Sequence, residues 1–323
     1  MPFNSLISRT DAAALIPEEV SNDILTQVAG SNPLMQLARR LPNMSRAQLR
    51  MPVMSALATA YFVTGDTGLK QTSEVNWENK YINAEELAVI VPIPQAVLDD
   101  ADYDIWGQVR PELVTAFNAA IAGAVLYGTN IPASWTTALG AAGIVAGSTA
   151  AGHTLSLAAY TDTYEAILAE TPAGVDGVYM VVEGDGFMVT GNVAHISMKG
   201  ILRNTRDANG LPIFKTSMQD VTRYELDGAP VVFPTDGSMV AASSLMISGQ
   251  WDQLVYAMRQ DISYKILDQA VIQDGAGSIV YNLAQQDMVA LRAVIRLGFA
   301  LPNPINRMNQ TAATRYPFAV LTA

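Results

Sequence analysis

The sequence predicts an α+β protein, and three observations carry that expectation. Two stretches in the last third alternate at the two-residue period of strands, one stretch near residue 115 repeats at the spacing of a long helix, and short strand and helix patterns interleave between them. Leu254, Tyr256, Met258, Ile262, Tyr264 and Ile266 share one face, with only Gln260 breaking the series. Val289, Leu291, Ala293, Ile295, Leu297 and Phe299 share another, with Arg292 and Arg296 on its reverse. Leu113, Phe117, Ile121 and Ala124 line up within a predicted helix over Ile105–Tyr127, with Pro111 marking its first turn or a kink.

Composition narrows the class. The chain has 323 residues, 50% hydrophobic and 15% charged, against about 25% charged in an ordinary soluble domain. Such a surface needs a cover. No window supports a membrane as the cover: Pro111–Gly128, the most apolar stretch near the middle, contains Glu112 and Asn118, and a span takes about 20 mostly apolar residues. The N-terminus lacks a basic stretch followed by an apolar core, so it is no secretory signal. Other protein subunits are therefore the expected cover. A net charge of −11 argues against tight phosphate binding, while a wall that merely encloses DNA tolerates acidity. With no cysteine there are no disulfides and no thiolate metal sites, which fits a reducing cytoplasm.

In chain order, residues 1–17 read as a leader. A short helix follows Pro17, with Val20, Ile24 and Val28 on one face, and a second spans about Leu34–Arg40; together they form an arm. From Arg50 to Val97 the pattern is strands, turning at Gly65-Asp66-Thr67-Gly68 and returning through Val75–Ile82, either a solvent-exposed hairpin or a projecting loop that lies on a neighbouring subunit. Asp99, Asp100, Asp102 and Asp104 lead into the long helix, and one of them caps it in preference to binding a cation, since the spacing of a calcium loop is absent. Residues 132–159, rich in Ala, Gly, Ser and Thr, read as a loop. A helix over 160–170, a buried strand over Val178–Val182, a helix around Gly191–Arg203, turns at Asn209-Gly210 and Asp227-Gly228, and a strand at Val231–Phe233 make a compact α+β region. A final short strand lies within the terminal YPFAVLTA.

Catalytic signatures are missing. His153 and His195 have no neighbouring ligand at metal spacing and read as structural. Gly184, Gly186 and Gly191 do not match a dinucleotide loop, and no phosphate loop occurs. Adjacent Glu85 and Glu86 in a strand point to opposite faces and cannot act as a pair.

Taken in order, these pieces resemble the HK97-type major capsid protein family of tailed phages, from about Ile16 to the end. The stretch AYFVTGDTGLKQTSEVNWENKYINAEELAVIVPIPQAVLDDADYDIWGQVRPELVTAFNAAIAGAVLYGTN resembles the family's extended loop, return strand and spine helix; WDQLVYAMRQDISYKILDQ, ALRAVIRLGFALPNP and YPFAVLTA resemble its later strands, and IPEEVSNDILTQVAGSNPLMQLAR its N-arm. The resemblance implies a leader and N-arm over 1–48, an extended loop over 49–84, a peripheral domain with spine helix over 85–135, an axial domain over 136–250, peripheral strands over 251–310 and a C-terminal strand over 311–323. It implies a self-assembling structural subunit of an icosahedral capsid, with pentamers and hexamers of one chain enclosing double-stranded DNA, and no cofactor, metal or catalysis. Expected partners are a portal protein, a separate scaffold protein (favoured because Met1 is present), a decoration protein in some assemblies, and packaged DNA bound without sequence preference. No membrane is expected. The place is the virion, with assembly in the host cytoplasm.

Candidate subunit contacts are Asp66 and Lys70 near the loop tip, and Arg292, Arg296 and Arg307 at capsomer boundaries. Some members crosslink a loop Lys to an Asn assisted by a nearby Glu. Lys70, Asn303, Asn306 and Asn309 are present, but no Glu follows Glu225, so no crosslinking is expected. The rivals are an encapsulin-type compartment of the same fold, a carboxylate-based hydrolase, which needs two convergent carboxylates in a concave pocket, and a surface-layer or tail protein forming sheets or tubes.

Overall fold

Asn32 is the first residue that the computed structural model describes; the described residues are 32–63, 68–100, 105–168, 174–206 and 224–323. The helix expected after Pro17, Asp66, Asp102, Asp104 and the Asn209-Gly210 turn lie outside them. Asn32 caps helix α1 (Pro33–Leu37): its side-chain oxygen accepts from the amides of Leu34 and Met35 at 2.9 and 3.4 Å, with Pro33 at the position where a missing N–H costs nothing. The cap is wholly buried and its amide donates to Asn118 at 3.3 Å. Strand β1 (Arg39–Arg40) follows. Strands β2 (Gln48–Ala56) and β3 (Asn76–Asn83) form an antiparallel ribbon running from Gln48 opposite Asn83 to Ala56 opposite Asn76. Strand β4 (Glu85–Pro94) and helix α2 (Gln95–Asp100) lead to the long helix α3 (Ile105–Tyr127), which keeps Pro111 inside it. Its predicted stripe is buried, with Leu113, Phe117, Ile121 and Ala124 at most 7% exposed. Asp99 and Asp100 close α2 instead of opening α3.

The stretch expected to be a loop after Ile131 holds two helices, α4 (Ala133–Leu139) and α5 (Ile144–Ala151). Alanine favours helix, and Gly140 and Gly152 end the two helices at φ +76° and +83°, a conformation that a side chain disfavours. The small residues serve packing. A Cβ at Gly147 would lie 2.3 Å from the Tyr316 hydroxyl, so only glycine lets that ring in.

Beyond strand β5 (Thr154–Ser156) come helix α6 (Thr163–Leu168), helix α7 (Val178–Gly184), strand β6 (Gly191–Ala194) and helix α8 (Ile196–Asn204). Two expectations are corrected here. Val178–Val182 is helix, because Val178, Tyr179 and Val182 reach the core from one face, and that burial outweighs the strand preference of the valines. Gly191–Ala194 is strand; all four residues are buried, and the helix starts after His195, whose Nδ1 accepts from the Ser197 amide at 3.2 Å. The pair β7 (Glu225–Leu226) and β8 (Ala229–Val232) turns at Asp227-Gly228, both at positive φ (+47° and +75°), as a two-residue hairpin demands.

Strand β9 (Met246–Gly249) precedes the long strand β10 (Val255–Leu267), the hairpin of β11 (Val271–Gln273) and β12 (Ile279–Asn282), the long strand β13 (Met288–Ala300) and the terminal strand β14 (Phe318–Thr322). One sheet has the order β1-β10-β13-β4 and another the order β5-β14-β9-β6-β8-β7. In the second, β14 is parallel to β5 and antiparallel to β9, while β6 is antiparallel to β9 and parallel to β8. Ile167, Val178, Val182, Met198, Leu202, Met246 and Leu321 form the core over it. The described chain divides into two compact units, one drawn from residues 86–114 and 260–296, the other from 32–85, 115–259 and 297–323.

Within the six-stranded region the Tyr179 hydroxyl donates its proton to the Leu226 carbonyl (3.2 Å) and accepts from Asn192 Nδ2 at 2.7 Å. Burial pushes its phenol up to about 12 from the usual 10, and burial raises Tyr316 as well. The neutral phenol is therefore favoured in the folded state: this stabilisation is complete below pH 10 and fades as pH rises through the folded value. Thermal unfolding across pH 9 to 12 is expected to show a falling Tm above pH 10. Tyr179→Phe should flatten only part of that fall, because Tyr316 remains, and should cost roughly 1–3 kcal/mol at neutral pH by leaving buried Asn192 underbonded.

Candidate assembly surface

The β2–β3 ribbon extends past its ladder. The Tyr61 hydroxyl donates to the Gln71 carbonyl at 2.8 Å, and the Ser73 hydroxyl accepts from the Thr59 amide at 2.7 Å, so the two arms stay together beyond Ala56. Among the polar residues they expose stand several large apolar side chains: Phe62 is fully exposed, Leu69 90% and Trp77 67%, with Met54, Tyr61, Val63 and Tyr81 partly so. Large exposed apolar side chains grouped on one ribbon are a feature of surfaces that mediate contacts. Lys70 is exposed on the same projection. Lys80 and Glu78 pair at 3.0 Å on the surface, a contact of little energetic value.

The root of the projection is tied to the C-terminal segment. Arg307 donates to the Ala58 carbonyl at 2.9 Å. On either side of it, Asn306 and Asn309 hold Asp185: Asn306 Nδ2 donates to its carbonyl and Asn309 Nδ2 to its carboxylate, both at 2.6 Å. The other carboxylate oxygen accepts from the Tyr316 amide at 2.8 Å and faces His153 Nε2 at 3.3 Å, and His153 Nδ1 contacts the Phe318 carbonyl at 3.2 Å. Arg315 adds bonds to Asn303 Oδ1 and to the carbonyls of Asn303 and Asn309. Burial pushes its pKa down, and the charge of Asp185 opposes that.

The remaining candidates fall as follows. Arg296 grips Glu86 within its own unit, with Nε and a terminal nitrogen each 3.0 Å from one carboxylate oxygen; Arg292 is exposed. Glu85 accepts from Ser134 at 2.6 Å, so the adjacent glutamates do diverge. A groove of about 550 Å³ under the ribbon is lined by one carboxylate only, Glu78, which is the partner of Lys80. Among the described residues no three His, Asp or Glu side chains converge for a cation, and no helix is long and apolar enough to cross a membrane. Asp185 carried no sequence signal beyond its place between Gly184 and Gly186, because the partners of its side chain lie 124 and 131 residues further on.

Asp185→Asn replaces an acceptor-only group with one that must also donate, into a site already full of donors. We expect it to cost roughly 2–4 kcal/mol in urea unfolding, whereas Glu78→Gln should change stability by less than about 1 kcal/mol.

Comparison with known proteins gives this geometry its context. A solved chain from Microbacterium phage Oxtober96 superimposes with a TM-score of 0.72 at 30% identity, covering 98% of this chain and 99% of that one, so the expected fold is found. The major capsid protein of Staphylococcus phage 80alpha is 25% identical over 86% of this chain and 79% of its own length. A probable major capsid protein of Mycobacterium phage D29 is 22% identical over 88% of this chain and 86% of that protein. The model of the phage capsid family matches residues 12–306. A fold shared from end to end, a projecting apolar ribbon and a family match over most of the length lead to one conclusion: the chain belongs to the phage capsid family and is a structural shell subunit, not an enzyme.

Proposed function

We propose that the chain assembles as pentamers and hexamers that close into an icosahedral shell around double-stranded DNA. The observation that carries this reading is the ribbon, whose Phe62, Leu69 and Trp77 are exposed in the single chain and are covered when a neighbour lies beneath them. Many such contacts, each weak, give cooperative closure. Asp66 and Lys70 supply polar contacts near the tip, and Arg292 faces a neighbour across a capsomer boundary. Arg296 and Arg307 act at one remove, by holding Glu86 and the root of the ribbon. A separate scaffold protein guides assembly in the host cytoplasm, a portal occupies one vertex, and decoration proteins bind the outside. The acidic chain contacts packaged DNA without reading its sequence.

The reading is tested by negative-stain electron microscopy and light scattering of the recombinant protein, with and without its cognate scaffold. Closed shells or rings of five and six subunits are expected; a persistent monomer or dimer in both conditions would overturn it. A double variant, Phe62→Ser with Leu69→Ser, is expected to abolish particles while leaving Tm within about 2 °C, since exposed substitutions cost little. The shell is held without covalent links: the amides of Asn306 and Asn309 are committed to Asp185 and that of Asn303 to the Arg315 carbonyl. Mature particles on a denaturing gel should run as one monomer band, and a ladder would contradict this.

A further inference from the structure

Sheet edges are where chains of a shell can join, because an edge strand leaves one row of backbone N–H and C=O groups unpaired. Among the described residues the two larger sheets have four edges. Three are strands of two or three residues: β1, β5 and β7. The fourth is β4, ten residues long. Its length is uncharged from Leu87 to Pro94, and its first proline is Pro92. Edges of soluble proteins are normally shortened, charged or interrupted; this one has none of those protections between Leu87 and Val91.

We infer that β4 pairs with β4 of a second copy, antiparallel about a twofold axis through Val89. The strand is self-complementary in that register. Val89 lies opposite Val89, Leu87 opposite Val91, and Ala88 opposite Ile90. Residues 86, 88 and 90 are exposed while 87, 89 and 91 are half-buried, so both copies present the same kind of face to the same side. On the exposed face a small Ala88 meets the larger Ile90, which is 42% exposed in the single chain. The charged end brings no repulsion into the pair: Glu86 falls opposite Pro92, and Arg296 already neutralises it at 3.0 Å. Pro92, which has no N–H, ends the ladder there. The contact buries the edge by joining copies of one chain. This inference rests on the shell reading and adds to it a specific joint.

The chain has no cysteine, so single cysteines report the register without background. Directly opposed residues of an antiparallel pair have Cα atoms about 4.5–5.5 Å apart, inside the range of about 4.4–6.8 Å that a disulfide spans. Diagonal neighbours lie at about 7–8 Å, outside it. Assembled particles of Val89→Cys, treated with a mild oxidant, should run mostly as dimers on a non-reducing gel. Particles of Ile90→Cys alone should give at least tenfold less dimer, as should particles of Ala88→Cys alone. Particles co-assembled from Ala88→Cys and Ile90→Cys should give dimers again. Both of those positions are exposed, so the mixture decides the matter even where Val89→Cys does not assemble.

Intact particles that stay monomeric in Val89→Cys and in the mixture would overturn the inference while leaving the shell reading in place; protection of the amides of residues 86–91 from exchange in those particles would then assign the edge to another segment or protein. Equal dimer from all single variants would also overturn it. Failure of the unsubstituted protein to form particles with its scaffold would instead count against the shell reading itself.

Discussion

A buried carboxylate is costly unless donors meet its oxygens. The Asp185 side chain finds them far along the chain, in the Asn309 amide, the Tyr316 backbone amide and His153, while Asn306 holds its main-chain carbonyl. The consequence is mechanical. Residues 303–316 are drawn against the end of α7, and from that fixed position Arg307 reaches the root of the ribbon. Arg315, itself almost wholly buried, stiffens the same segment through bonds to Asn303 and Asn309. The ribbon is thus tied at its root to a segment that polar bonds hold in place.

Much of the fold could be read in advance wherever one period ran unopposed. The alternation from Leu254 and from Val289 became β10 and β13, the stripe on α3 was buried as drawn, and Asp227-Gly228 made the tight turn its residue types require. The misreadings have a common cause, in that tertiary burial overrode local preference. The valines of α7 look like strand, yet a helix brings Val178 and Val182 to one core. The Ala and Gly content between Pro132 and Ala159 looked like a loop, and it was the means for helices to pack closely, as Gly147 does against Tyr316.

The candidate site was legible in outline only. The two strand patterns from Arg50 to Ile82 pointed to the ribbon. Arg296 was read as a subunit contact, and its ion pair with Glu86, 210 residues away, has no signal in a linear sequence. Composition was a guide of a different kind: a chain with 15% charge calls for a cover, and the exposed apolar side chains of the ribbon are among those that our reading places under a neighbour.

The β11–β12 hairpin follows a different logic from the rest. Its tip closes on itself: the Asp274 carboxylate accepts from the amides of Ala276 and Ser278, Gly277 takes φ +83°, and residues 273–280 are all exposed. No core residue depends on that tip. For anyone who wishes to carry foreign peptides on this protein, the Gly275-Ala276-Gly277 stretch is the natural grafting point, because an epitope spliced there replaces a turn that answers only to its own aspartate.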